Sequence, residues 1–152
     1  MNVLLADDQA KVRSAIRLLL EQDDDKEVLG EAVDATGLLD WVKVVCPDLV
    51  LLDWELPGGG GEELLDAIRA NCSRVTIVAL SGRPEARQAA LDAGADGFVS
   101  KGDPPERLLE AIDACRGDQP PAPPKNGRTA GAATEAVSDR ERRPATDGET
   151  AV

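Results

Sequence analysis

Short apolar runs alternate along the chain with longer stretches whose apolar residues recur every three or four positions, and this alternation predicts the elements. Residues 3–6 are a wholly apolar run stopped by two acids, as a buried strand would be. Val12, Ile16, Leu19 and Leu20 follow at helical spacing and mark a single helix face. Residues 28–33 predict a second strand, and Leu38, Leu39, Val42 and Val45 a second helix. Pro47 separates that helix from residues 49–52, the most apolar strand of the chain. Beyond the glycines at 58–61, Leu64, Leu65 and Ile68 predict a third helix, and the β-branched run at 75–80 a fourth strand. Pro84 suits the first turn of a fourth helix ending near Gly94. Residues 97–100 read as a short fifth strand, and Pro104-Pro105 open a last helix carrying Leu108, Leu109, Ile112 and Cys115.

Five strands alternating with five helices specify a parallel sheet covered on both faces. Right-handed crossovers leave few topologies. The expected fold class is therefore α/β: a flavodoxin-like (βα)5 three-layer sandwich with a five-stranded parallel sheet in the order 2-1-3-4-5. In such sheets ligands bind beyond the carboxyl ends of the strands, so the chemistry is to be sought there.

Composition narrows the picture. Apolar residues make up 42% of the chain but aromatics only 2%, so Leu, Val, Ile and Ala must fill the core. Residues 118–152 contain no Leu, Ile, Phe or Trp and open on the prolines of 120–124. Such a segment cannot bury enough apolar area to offset its ordering entropy, which predicts a folded domain at 1–117 and a disordered tail at 118–152. A net charge of −12 argues against a phosphate-backbone binder, so no direct nucleic-acid binding is expected. No run is long enough to span a membrane, and residues 1–8 meet acid too early for a signal peptide, so a cytoplasmic location is expected. The absence of His removes any Ser-His-Asp triad and, with no CxxC pair, argues against zinc. Cys46, Cys72 and Cys115 are expected to be reduced packing residues.

The rim residues form a pointed set. The first strand runs into Asp7-Asp8, the third into Asp53, the fourth into Ser81 and the fifth into Lys101. Taken singly, each has an ordinary role: Asp7 or Asp8 as a helix cap, Ser81 as a turn residue, Lys101 as a solvated charge. Together they place three carboxylates, a hydroxyl and an ammonium on one edge. Crowded carboxylates repel unless a cation joins them, and an oxygen-only ligand set favours Mg²⁺ or Mn²⁺. Lys101 opposite them suits a second anion such as a phosphoryl group.

Residues 1–117 resemble the receiver domains of two-component response regulators. The resemblance is carried by Asp7-Asp8, by Asp53-Trp54-Glu55-Leu56-Pro57 leading to Gly61, by Leu80-Ser81-Gly82, and by Ala93-Gly94-Ala95-Asp96-Gly97-Phe98 before Lys101. It implies that Asp53 is the phosphoacceptor, assisted by Ser81 and Lys101. It also implies that Asp8 binds Mg²⁺ directly and Asp7 through water, with Asp53 and the backbone carbonyl of Glu55 completing the ligands. Ser81 and Phe98 would form the switch, working through the face of the fourth helix, fifth strand and fifth helix. The implied donor is a phosphohistidine on a sensor histidine kinase or phosphotransfer protein. The chain would then be no enzyme in the turnover sense, but a phosphoacceptor that assists its own phosphorylation and dephosphorylation. Two departures stand out: Gly102 follows the lysine where many receivers have proline, and four glycines precede the third helix. The glycine run lacks the Lys-Ser/Thr of a phosphate-cradling loop, so it is expected to serve loop geometry.

Gly94-Ala95-Asp96-Gly97-Phe98 with Lys101-Gly102 looks most like the receiver subfamily that usually carries a helix-turn-helix output domain. Residues 137–142 faintly resemble the opening of such a domain, but only ten residues follow Arg142, too few for it. The expectation is a receiver acting through protein partners, with a homodimer possible on the last-helix face. The alternatives are a receiver-fold module indifferent to phosphorylation, a transcriptional regulator that has lost its DNA-binding domain, and a small Mg²⁺-dependent phosphatase using Asp53 as a turnover nucleophile.

Overall fold

A computed structural model describes residues 1–59 and 61–116. The expected tail at 118–152, the boundary at 117 and the motif at 137–142 lie outside the described residues. The elements run β1 (Asn2–Ala6), α1 (Ala10–Glu21), β2 (Glu27–Ala32), α2 (Ala35–Val44), β3 (Leu49–Asp53), α3 (Gly61–Asn71) and β4 (Thr76–Ser81). A 3₁₀ turn at Pro84–Ala86, then α4 (Arg87–Asp92), β5 (Gly97–Ser100) and α5 (Pro105–Arg116) complete them. The strands form one parallel sheet in the order β2-β1-β3-β4-β5, the topology expected.

Strand alternation divides the core in two. Val3, Leu5, Leu49, Leu51, Val78, Leu80 and Val99 meet Ile16 and Leu20 of α1 and Leu108, Ile112 and Cys115 of α5. Leu4, Ala6, Val50, Leu52, Ile77 and Ala79 meet Leu38 and Val42 of α2, Leu64, Leu65 and Ile68 of α3, and Ala90 of α4. Neighbouring residues of β3 thus feed opposite cores, which is why its sequence is apolar without interruption. Each fully buried Leu or Ile contributes about 1.5–3 kcal/mol. Among the described residues no helix is long and apolar enough to cross a membrane.

Local chemistry sets the helix ends. Asp34 caps α2 by accepting a hydrogen bond from the Gly37 N–H at 2.8 Å. α1 has no side-chain cap; its N-cap residue is Gln9, whose own N–H donates to Asp7 at 2.8 Å. The expected fourth helix is split instead, with a 3₁₀ turn at Pro84–Ala86 preceding the six-residue α4. Pro84 supplies no N–H to extend a helix backward, and only Ala86 and Ala90 bury a side chain there.

The cysteines depart from expectation. Cys46, just past α2, and Cys72, just past α3, form a disulfide with Cα atoms 5.5 Å apart; Cys115 is buried outside it. The pairing was hidden because it depends on α2 and α3 packing side by side on one sheet face, which brings together loops 26 residues apart.

Candidate functional site

Sheet register assembles the rim. Ala6 pairs with Leu52, so one further step sets Asp7 beside Asp53; Asp53 pairs with Leu80, and Ser81 with Ser100. Two backbone bonds hold the exits: the Asp7 N–H donates to Ala32 O at 3.0 Å, and the Lys101 N–H to Ser81 O at 2.8 Å. One oxygen from each of Asp7, Asp8 and Asp53 lies within 4.8 Å of the others. Asp7 and Asp53 are buried, whereas Asp8 is exposed.

Lys101 enters from the β5 side. Its Nζ stands 2.7 Å from Asp7 Oδ2 and 3.4 Å from Asp53 Oδ1, with Gln9 Oε1 also at 3.4 Å. Burial alone would lower the Lys101 pKa; its contacts with Asp7 and Asp53 outweigh that and raise it, so it remains an ammonium at neutral pH. Burial chiefly raises the Asp53 pKa and the Asp7 charge adds to this, against the Glu55 N–H and Lys101, which favour the anion. The Glu55 N–H donates to Asp53 Oδ1 at 3.0 Å.

These residues fit a hard cation. Asp7 Oδ1 accepts the Gln9 N–H, but Oδ2 is buried and receives no hydrogen bond. Lys101 Nζ approaches that oxygen at 2.7 Å as an ion pair, and a carboxylate oxygen with one such neighbour keeps lone-pair capacity for a cation. A buried carboxylate oxygen in this condition, among two further carboxylates and no nitrogen or sulfur donors, matches an Mg²⁺ ligand set. Asp7, Asp8 and Asp53 would supply its carboxylates. The cap reading of Asp7 is not met, since α1 has no side-chain cap; Asp7 Oδ1 instead accepts from the N-cap residue Gln9 itself.

Ser81 is fully buried at the rim, and its hydroxyl is bonded to Glu55. It donates toward the Glu55 carboxylate, whose oxygens lie at 2.8 and 3.0 Å, and accepts from the Arg83 N–H at 3.0 Å. The Arg83 guanidinium in turn pairs with Glu55 Oε2 at 3.1 Å. Arg83, like Gln9, escaped the sequence reading, because a residue two or three positions past a strand end carries no mark of where its side chain turns. Phe98 is half-buried and packs against the α2–α3–α4 core. It also lines a surface cleft of ≈ 400 Å³ with Pro84, Arg87, Ser100 and Arg107.

The remaining motif residues serve structure. Arg69 of α3 donates to Gly94 O at 2.8 Å and pairs with Asp96 at 2.7 Å, while Asp96 also accepts the Ile77 N–H at 2.8 Å. These bonds splice the α4–β5 turn onto α3 and β4. Gly58, Gly59 and Gly61 all have positive φ, so the run does serve loop geometry, and Pro57 O accepts the Ala35 N–H at 2.8 Å. The Lys101-Gly102 turn is restrained by the backbone, since Ser100 O accepts the Asp103 N–H at 3.0 Å.

A family model for the response regulator receiver domain matches residues 3–113. The nitrate/nitrite response regulator NarP of Escherichia coli is 37% identical over 114 residues, which are 74% of this chain and 53% of that protein. The transcriptional regulatory protein DesR of Bacillus subtilis is 32% identical over 112 residues, 74% of this chain and 56% of its own. The chain therefore spans about half the length of the curated relatives it matches. Among solved structures, the receiver domain of the putative regulator NarL from Mycobacterium tuberculosis superposes with a TM-score of 0.68 at 28% identity, covering 76% of this chain and 96% of that one. The isolated receiver domain of RcsB from Salmonella enterica, in the presence of the phosphomimetic BeF3⁻, gives 0.70 at 31% identity over 77% and 88%. The chain belongs to the response regulator receiver domain family, on the branch that holds the NarL, NarP and UvrY regulators.

Proposed function

We propose that the chain accepts a phosphoryl group on Asp53 from the phosphohistidine of a sensor histidine kinase or phosphotransfer protein, and signals by a change of shape read by protein partners. One observation above all supports this: a buried carboxylate, Asp53, sits with two more carboxylates within 4.8 Å and a single ammonium, Lys101, at 3.4 Å. A bound Mg²⁺ would supply the positive charge that lets the anionic donor approach these carboxylates. An oxygen of Asp53 attacks phosphorus, the donor's P–N bond breaks, and the imidazole leaves with that electron pair. The Glu55 N–H and Lys101 orient the Asp53 carboxylate, and orientation with charge neutralisation supplies most of what phosphoryl transfer requires. The product is a mixed anhydride, so water returns Asp53 to its carboxylate and the chain resets itself.

The readout begins at Ser81. In the resting form its hydroxyl is engaged by Glu55. A phosphoryl oxygen on Asp53 would offer a competing charged acceptor, drawing Ser81 inward and opening space toward Phe98. The cleft beside Phe98 between α4 and α5 then changes shape, and a partner or a second copy of the chain senses it.

The test is intact mass after incubation with acetyl phosphate, with and without Mg²⁺, for the wild type and Asp53→Asn. One phosphoryl adduct that needs Mg²⁺ and is lost in the variant is the expected result. No adduct on the wild type would favour a phosphorylation-independent module, and repeated turnover of a simple phosphate ester would favour a phosphatase.

A further inference from the structure

We infer that Cys46 and Cys72 form a reversible redox site, at which a dithiol releases α2 from α3 by attacking the Cys46 sulfur. The disulfide joins the two helices at the end of the sheet away from the carboxylate rim. At the rim end the start of α2 is tied to the loop before α3 by the Ala35 N–H to Pro57 O bond. Opening the disulfide therefore removes the covalent tie between the C-terminal ends of α2 and α3.

Three observations favour reversibility over a permanent staple. The two sulfurs differ in access: Cys46 is exposed and Cys72 is buried. Each sulfur has an acceptor waiting for its reduced form, with Asn71 O 3.4 Å from the Cys46 sulfur and Val42 O 3.4 Å from that of Cys72. Finally, both cysteines stand on backbone fixed without the bond. Asp48 beside Cys46 exchanges hydrogen bonds with Asn2 at 2.7 and 2.9 Å, and the Cys72 N–H donates to Ile68 O at 2.9 Å. The thiols of the reduced chain thus remain placed to pair again.

Unequal access sets the order of events. A thiolate of the dithiol attacks Cys46 Sγ, a new S–S bond forms, and Cys72 leaves as a thiolate that takes a proton. The second thiol of the reagent then attacks the mixed disulfide, and Cys46 leaves and is protonated. Two electrons and two protons pass from the dithiol to the cysteine pair, and the dithiol becomes a disulfide.

The experiment uses the full chain purified in air without reductant, with dithiothreitol as the dithiol. Alkylation by iodoacetamide after unfolding should add one group to the untreated chain, at Cys115, and three after reduction. Reduction should lower the melting temperature by roughly 10 °C and speed amide exchange in α2 and α3. Cys46→Ser should melt at the reduced value whether or not dithiothreitol is present. In native Cys72→Ser, oxidised glutathione should add to Cys46, as located by peptide mapping. Three alkylated cysteines in the untreated chain, equal melting temperatures in both redox states, or no glutathione on Cys46 would each overturn the inference. The wild-type comparison decides alone if a variant does not fold.

Discussion

Replacing Asp53 by Asn should stabilise the metal-free protein, although it removes the residue on which the proposed function depends. At the 4.8 Å limit of the cluster and an effective dielectric of about 20, two carboxylates repel by about 3.5 kcal/mol. Asp53 meets two such neighbours, and its attraction to Lys101 at 3.4 Å is about 5 kcal/mol on the same basis. Solvent screens the exposed Asp8, so the Coulomb terms nearly balance, and the burial cost of an ionised Asp53 tips the sum toward instability. Asparagine keeps an acceptor for the Glu55 N–H and removes the charge. The expected gain is about 1–2 kcal/mol, or about 4–8 °C in melting temperature for a domain of this size.

The pH dependence has a definite sign. Asp53 has a raised pKa in the fold. The folded state therefore binds the proton more tightly, and stability falls as pH rises from the unfolded pKa through the folded one. At pH 7.5 the wild type bears the whole cost, and below the unfolded pKa the difference from Asp53→Asn should vanish. Saturating Mg²⁺, at a hundred times its dissociation constant, would stabilise the wild type by about 2.7 kcal/mol and the variant by less, narrowing or reversing the gap. Thermal denaturation in EDTA and in Mg²⁺, for both proteins, measures all of this. An Asp53→Asn protein less stable than wild type in EDTA, or equal Mg²⁺ shifts in both, would refute the electrostatic account of the rim.

Other substitutions probe separate parts of the structure. Glu31 accepts from Arg13 at 2.7 Å and Arg17 at 2.8 Å, and these bonds hold its pKa below the ordinary value. Glu31→Gln should cost about 1 kcal/mol at pH 7; the cost should fade in denaturant titrations as pH drops through the lowered folded pKa, and a pH-independent difference would count against the pairing. Gly30 lies under the Trp41 indole, where a Cβ would overlap the ring. Gly30→Ala should cost about 1–3 kcal/mol and shift tryptophan emission as Trp41 is displaced, and an unchanged melting temperature would contradict that packing. Glu55→Ala removes the resting acceptor of the Ser81 hydroxyl. By the proposed switch it should tighten BeF3⁻ binding by about fivefold, the equivalent of one hydrogen bond of about 1 kcal/mol; weaker binding in a fluorescence titration would argue that Glu55 assists the phosphorylated form instead.

The sheet and its charged rim were legible because each depends on position along a strand. A run such as 49–52 can be uninterruptedly apolar only if both faces are covered, and the residue ending such a run must then lie at the rim, as Asp53 and Ser81 do. What stayed hidden depends on side-chain direction or on which helices are neighbours. Ser81 sits where it was expected, but its hydroxyl is bonded to Glu55, and Arg83 completes that contact. Local pattern cannot choose among acceptors equally close to a strand end. The split of the fourth helix at Pro84–Ala86 and the pairing of Cys46 with Cys72 have the same origin, since both depend on what packs against a short segment.

The two ends of the sheet differ in their energetics, and that difference bears on how a signal could be transmitted. At the end opposite the rim, contacts are attractive: Lys26 pairs with Asp23 at 2.6 Å, Arg116 with Asp25 at 2.7 Å, the Asn2 N–H with Asp48 at 2.7 Å, and Cys46 with Cys72. At the rim, three carboxylates cluster, two of them sharing the Lys101 ammonium, and the Ser81 hydroxyl is bonded to an exposed glutamate. A cation arriving there would relieve repulsion locally instead of adding to a structure already at its minimum. The relief can be expressed only where the backbone has freedom to move, and bonds at the far end oppose motion there. Under the proposed function, movement would be directed to the loops after β4 and β5, where Arg83 and Lys101 lie, and to Phe98 on β5 beside them. Under the proposed function, stability concentrated at one end would allow a change of a few kcal/mol at the other to become a change of shape instead of a loss of fold.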